Sequence, residues 1–240
     1  MSVHLSGGGW SETGAAPEFS SFIKEASARA EGTPKIAVVF WIPADGDLAL
    51  SSSRYETLMR RMGEFESTLI PLIGDATLDG AQLEGFHGIF VGGGLTPGYH
   101  RAIMPAADAI RSLVSSGVPY CGYSAGAMIA GEVALLGGFT IGGVAVTADS
   151  NGEDLEEVSV EAGLGLIDLT VDAHAAQWGT LSRTVAAVDA GIVERGVAVD
   201  EHTVLIVRPG ALHVVGAGNV WSVARGAEGG VNVGILAADN

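Results

Sequence analysis

The chain has 240 residues with 28 Asp and Glu against 12 Lys and Arg, a formal net charge of −16, and an acidic excess of that size repels phosphate backbones and anionic lipid surfaces. Nucleic acid and membrane are therefore excluded as partners. Hydrophobic residues make up 48% and charged residues 17%, enough apolar surface to offset the ordering entropy that keeps polar chains unfolded, which excludes an intrinsically disordered chain.

A chain of this length is expected to form one domain over residues 1–240. Its 36 glycines show no collagen-like period and imply many tight turns. Cys121 has no cysteine to pair with, and His4, His87, His100, His174, His202 and His213 form no cluster with zinc-ligand spacing, so neither a metal nor another cofactor is expected. The segment from Met1 to Gly9 lacks the basic and apolar regions of a signal peptide, and no apolar run reaches the length of a membrane span. A cytoplasmic location is the expectation.

In chain order, Val3 to Leu5 reads as a strand ending in Gly7-Gly8-Gly9, and Pro17 to Ala30 as a helix. The continuous apolar run Lys35 to Trp41 predicts a buried strand, Ser52 to Met62 a helix and Ser67 to Ile73 another strand. Gly88 to Val91 leads into Gly92-Gly93-Gly94. Ala102 to Ser115 reads as a helix, Val118 to Tyr123 as a buried strand and Ala125 to Leu136 as a helix of small residues. This alternation predicts an α/β fold with a mostly parallel sheet flanked by helices. Beyond about residue 140 come short β-branched runs, such as Gly143 to Val146, Thr203 to Val207, Leu212 to Val215 and Val220 to Val223, which predict antiparallel strands in the C-terminal third. One helix, Thr180 to Ala190, interrupts them. The acidic stretch Glu153 to Glu157 reads as a solvated loop or hairpin tip, with a metal site as the lesser alternative.

Gly122-Tyr123-Ser124-Ala125-Gly126 lies between an expected strand and an expected helix, the context of a nucleophile elbow. Glycines two before and two after the serine let the flanking backbones approach closely, and the helix amides point toward developing negative charge. Taken alone, the motif reads equally well as a glycine turn with a serine N-cap. The Gly92-Gly93-Gly94 run offers further unhindered amides, so Gly93 or Gly94 is a candidate oxyanion donor beside the Ala125 amide. Serine needs a base, and His174 is the best placed of the histidines because the β run Leu169 to Ala173 ends at it.

Four pieces, Phe90-Val91-Gly92-Gly93-Gly94, Gly122 to Ala127, Asp172-Ala173-His174 and Val199 to Leu205, resemble in order and spacing the aspartyl dipeptidase (peptidase E) and cyanophycinase family of serine peptidases. The family's fold is similar to that of class I glutamine amidotransferases. The resemblance implies Ser124 as nucleophile, His174 as general base and Glu201 as the carboxylate that orients His174, with Asp200 and Asp172 as rivals for that last role. It implies a dipeptidase or exopeptidase acting on small peptides, acidic or β-aspartyl ones included, through an acyl-enzyme and without a cofactor; a homodimer stays open. The chain departs from the family at Leu95, at Ala175 and at Thr180, where aspartyl dipeptidases carry the arginine that binds the acidic side chain. Arg183 is the remaining candidate for a substrate carboxylate, beside Thr180 and Leu95. A glutamine amidotransferase-like enzyme and a non-catalytic binding module on the same fold are the alternatives.

Overall fold

The computed structural model describes residues 2–237. Strand β1 (Val3–Ser6) is followed by helix α1 (Ser20–Ser27), β2 (Lys35–Ile42), α2 (Leu48–Met62), β3 (Glu66–Ile73) and β4 (Gly88–Val91). Then come α3 (Thr96–Ile103), α4 (Ala107–Ser115), β5 (Tyr120–Tyr123) and the short α5 (Ala125–Met128). The later part holds β6 (Val133–Gly137), β7 (Thr140–Ile141), β8 (Val144–Ala145), β9 (Ser159–Ala162), β10 (Thr170–Ala173), α6 (Ala175–Trp178) and α7 (Leu181–Asp189). It closes with β11 (Arg195–Val199), β12 (Thr203–Arg208), β13 (Ala211–Gly216), β14 (Asn219–Arg225) and β15 (Val231–Ala237).

A seven-stranded sheet in the order β13-β12-β1-β5-β4-β2-β3 forms the centre of an α/β fold. The apolar run of β2 is buried from Ile36 to Ile42 because parallel neighbours β3 and β4 flank it and helices cover its faces. β3 carries Pro71, which has no N–H to donate, and accordingly lies at the sheet edge. β1, β5 and β4 run parallel with Ser6 beside Tyr123 and Val91 beside Gly122, so three strands end at one level. Loops at the carboxyl ends of parallel strands are where ligands meet this kind of sheet.

A second, four-stranded sheet has the order β10-β11-β14-β15. Its β10 and β11 are parallel with Ala173 beside Val199, which brings the residues that follow each strand, His174 and Asp200-Glu201, to the same end. The Gly7-Gly8 backbone joins the two sheets: Gly7 O accepts from His174 N at 3.1 Å and Gly8 O from His202 N at 2.8 Å.

Several elements differ from the sequence expectation. The helix expected over Ala125 to Leu136 stops at Met128; Gly131 turns to bridge Ile167, and Val133–Gly137 is strand β6 paired with β9. Pro17 starts a separate 3-10 turn ahead of α1, and Pro105 breaks the helix expected over Ala102 to Ser115 into α3, a 3-10 turn and α4. Among the described residues no helix is long and apolar enough to cross a membrane.

Candidate active site

Ser124 sits at the turn between β5 and α5 with φ 52° and ψ −111°, a conformation side-chain-bearing residues seldom adopt. The glycines on either side permit it. A Cβ at Gly122 would lie 2.4 Å from Gly126 O, and one at Gly126 would lie 2.3 Å from Val91 O. Ser124 Oγ is 2.8 Å from His174 Nε2, and His174 Nδ1 is 2.7 Å from Glu201 Oε1. The serine and histidine are each 8% exposed. Burial holds the imidazole below its ordinary pKa, with Glu201 opposing that shift.

The two rival acids are engaged elsewhere. Asp172 takes both guanidinium arms of Arg183, at 2.9 and 2.7 Å. Asp200 accepts from Ala176 N, Asn219 N and the Trp221 indole, tying α6 to β14.

Gly93 is a correction to the expected oxyanion donors. Its N–H donates to the Tyr55 hydroxyl at 2.9 Å, which in turn reaches Gly93 O and the Tyr99 hydroxyl. The amides of Gly94 and Ala125 have no acceptor among the described residues. The expected carboxylate ligands are corrected as well. Arg183 is 2% exposed; beyond Asp172, its Nη1 donates to Asn151 O at 2.6 Å and Gly138 O at 3.2 Å. Thr180 is turned inward, its hydroxyl donating to Ala173 O at 2.5 Å. Neither lines the cleft in front of Ser124, whereas Leu95 does.

That cleft has a volume of about 890 Å³. Trp10, Arg54, Phe139, the 149–156 segment and Trp178 contribute to its wall; of these the sequence marks only the acidic residues from Glu153 on, and not as part of a cleft. They come from separate loops, from α2 and from α6, and no local motif marks them as one site. The acidic stretch is not simply a solvated loop. Glu153 is half-buried, its carboxylate accepts from Thr96 N at 2.8 Å at the start of α3, and burial pushes its pKa up. Among the described residues no group of three or more His, Cys, Asp or Glu side chains could hold a metal ion. Cys121 is fully buried on β5, and burial pushes its thiol pKa far up.

The sequence model of peptidase family S51 matches residues 5–215. Among solved structures, a peptidase from an acI-B1 Actinobacterium aligns with a TM-score of 0.70 at 20% identity, over 100% of this chain and 95% of its own. A structure described as a peptidase E protein from Listeria monocytogenes EGD-e aligns with a TM-score of 0.53 at 14% identity, over 90% of this chain and 98% of its own. At such identities the likeness concerns the fold. No curated protein matches the chain in sequence.

Proposed function

This chain belongs to peptidase family S51 and is a serine-type peptidase, and from that premise we propose that it hydrolyses short peptides with Ser124 as nucleophile, His174 as general base and Glu201 as the orienting acid. The observation that carries the reading is the unbroken chain of hydrogen-bond contacts from Ser124 Oγ through both imidazole nitrogens to Glu201, at 2.8 and 2.7 Å.

In this reading Ser124 Oγ attacks the scissile carbonyl carbon while its proton passes to His174 Nε2. The carbonyl oxygen, now anionic, receives the free N–H groups of Ala125 and Gly94. Collapse breaks the C–N bond, and the departing amine takes the proton from Nε2. Water then attacks the acyl-serine, giving its proton to the same nitrogen, and as the ester C–O bond breaks Nε2 returns that proton to Ser124 Oγ, releasing the acid and restoring both residues. Glu201 holds the tautomer in which Nδ1 carries the hydrogen and stabilises the imidazolium formed at each transfer.

For the substrate, the reading favours an unblocked short peptide whose carboxylate, terminal or side-chain, meets Arg54. Among the described residues Arg54 is the single Lys or Arg in the wall of the cleft, and it has no acidic partner there within ion-pair distance. The test is hydrolysis of a dipeptide library by purified protein, with Ser124→Ala as control and a fluorophosphonate as probe. Loss of turnover in the variant with labelling confined to Ser124 is expected; wild-type turnover by Ser124→Ala overturns the reading.

A further inference from the structure

We propose that Trp178 is a positioning residue for His174, its indole holding the imidazole in the one plane where Nε2 meets Ser124 and Nδ1 meets Glu201. This inference rests on the triad reading above.

The two rings are stacked, with centroids 3.8 Å apart and planes 7° from parallel. A histidine ring turns readily about its terminal side-chain bond, since that torsion has no sharp staggered minima. A triad cannot use such freedom, because both nitrogens have to stay on their partners through each proton transfer. Here the ring is confined from two directions. Its Cε1 edge packs so closely on Gly8 that a Cβ there would lie 2.4 Å from Cε1 and 2.9 Å from Nε2. The face carries Trp178.

Local structure brings the indole to that place. His174 is left-handed at φ 59° and caps α6, and Trp178 N donates to His174 O at 2.9 Å, so one helical turn sets residue 178 over residue 174. The turn is anchored at both sides: Asn151 Nδ2 donates to Trp178 O at 2.7 Å, and Gln177 Oε1 accepts from Glu201 N at 2.8 Å. Core packing does not account for the residue. Trp178 is 49% exposed, while the histidine it covers is 8% exposed. By keeping water from one imidazole face, the indole contributes to the burial that lowers the His174 pKa. The charged groups bearing on that ring are Glu201 and Asp172, which oppose the shift, and Arg183, which adds to it.

The experiment compares Trp178→Ala, Trp178→Leu and Trp178→Phe with the native protein on one dipeptide substrate. Loss of ring alignment is expected to lower kcat about tenfold to a hundredfold in the Ala and Leu variants, with KM changed by less than about threefold. Trp178→Phe, which keeps a flat face, is expected to recover most of kcat. Leu fills space without a face, so the Leu and Phe pair decides the matter even where Trp178→Ala fails to fold. In parallel, NMR of histidine-labelled protein follows His174 without any turnover. Its ring protons should lose the ring-current displacement in the Ala and Leu variants, and its titration midpoint should rise toward the ordinary histidine value. The inference is overturned by kcat within about twofold of native in Trp178→Leu, by a loss carried in KM, by a Phe variant as impaired as Leu, or by an unmoved titration. Failure of the triad reading is a separate outcome, seen as native turnover in Ser124→Ala while the NMR result stands.

Discussion

Glu201 reaches His174 across the chain at 2.7 Å, while Asp172, two residues before the histidine, faces away from it toward Arg183. Glu201→Gln is therefore expected to lower kcat by orders of magnitude, about tenfold to a hundredfold less than Ser124→Ala does, because the amide keeps the contact and loses the charge. Steady-state kinetics on a common dipeptide checks the order. A larger kcat loss in Asp172→Asn, measured on protein shown to be folded, would move the role from Glu201 to Asp172.

Arg183 and Asp172 are predicted to act on stability. Both side chains are at most 2% exposed, and two parallel N–H to carboxylate contacts join them. Breaking one partner of such a pair leaves a buried charge alone and costs roughly 3–5 kcal/mol. Arg183→Ala should lose that much in denaturant unfolding. Arg183→Lys should recover little, since an ammonium cannot reproduce the two-armed contact or reach Asn151 O as well. Native unfolding behaviour in Arg183→Ala would count against the pair.

The serine turn was legible in sequence because its pattern is local: Gly122, Ser124 and Gly126 lie within five residues, Gly122 facing Gly126 backbone within the same turn, while Gly126 faces the Val91 and Gly92 backbone at the end of neighbouring β4. Parallel β2 and β4 were legible as continuous apolar runs. Ala125 to Leu136 misled because its small apolar residues carry no period that separates helix from buried strand, and the deciding contact, Gly131 with Ile167, is distant in the chain. His174 stood out among the histidines by its strand end, but Glu201 came forward only through family resemblance. The pairing of β10 with β11 that sets them side by side is a tertiary fact. Arg183 and Thr180 were misread for a related reason: sequence marks a helix but not which of its faces meets a cleft. Trp178 and Arg54 carry no local signal of a role.

Stability is predicted to fall as pH drops below about 6.5, the value near which histidine in an unfolded chain gains its proton. Burial holds His174 and His4 below that value in the folded state, with Glu25 opposing the shift at His4. In the window between the folded and unfolded values the unfolded chain binds more protons, so acid favours unfolding; above the window the contribution is fully present. Both ring nitrogens of His4 lack a hydrogen-bond partner, Nε2 being 3.7 Å from Glu25 Oε1. His4→Leu should accordingly flatten the decline of Tm between pH 7 and 5, a range set around the reference histidine value. An unchanged slope would show that another group controls it. Activity requires neutral His174, so the acid limb of kcat/KM should also lie below the ordinary histidine value.

Arg54 is predicted to select substrates by charge. It sits on α2 at the rim shared by the cleft and a small side pocket that contains Trp10, Trp41 and Tyr123. A guanidinium binds a carboxylate through paired, charge-assisted hydrogen bonds, and removing it should lower kcat/KM about tenfold to a hundredfold for a substrate that makes them. Comparing Asp-Leu, β-aspartyl-Leu, Leu-Leu and Leu-Leu amide in native protein and Arg54→Ala separates the sources of the carboxylate. If Arg54 meets a side-chain acid, the variant loses on the two aspartyl peptides and is unchanged on Leu-Leu. If it meets the C-terminus, the variant loses on every free acid, and native protein already disfavours the amide. Arg54→Lys should retain part of the preference, because it keeps charge without the planar fork. Equal kcat/KM for native protein and Arg54→Ala on all four peptides would mean that the cleft reads its substrate through other groups, among which the acidic residues of the 149–156 wall line the same cleft.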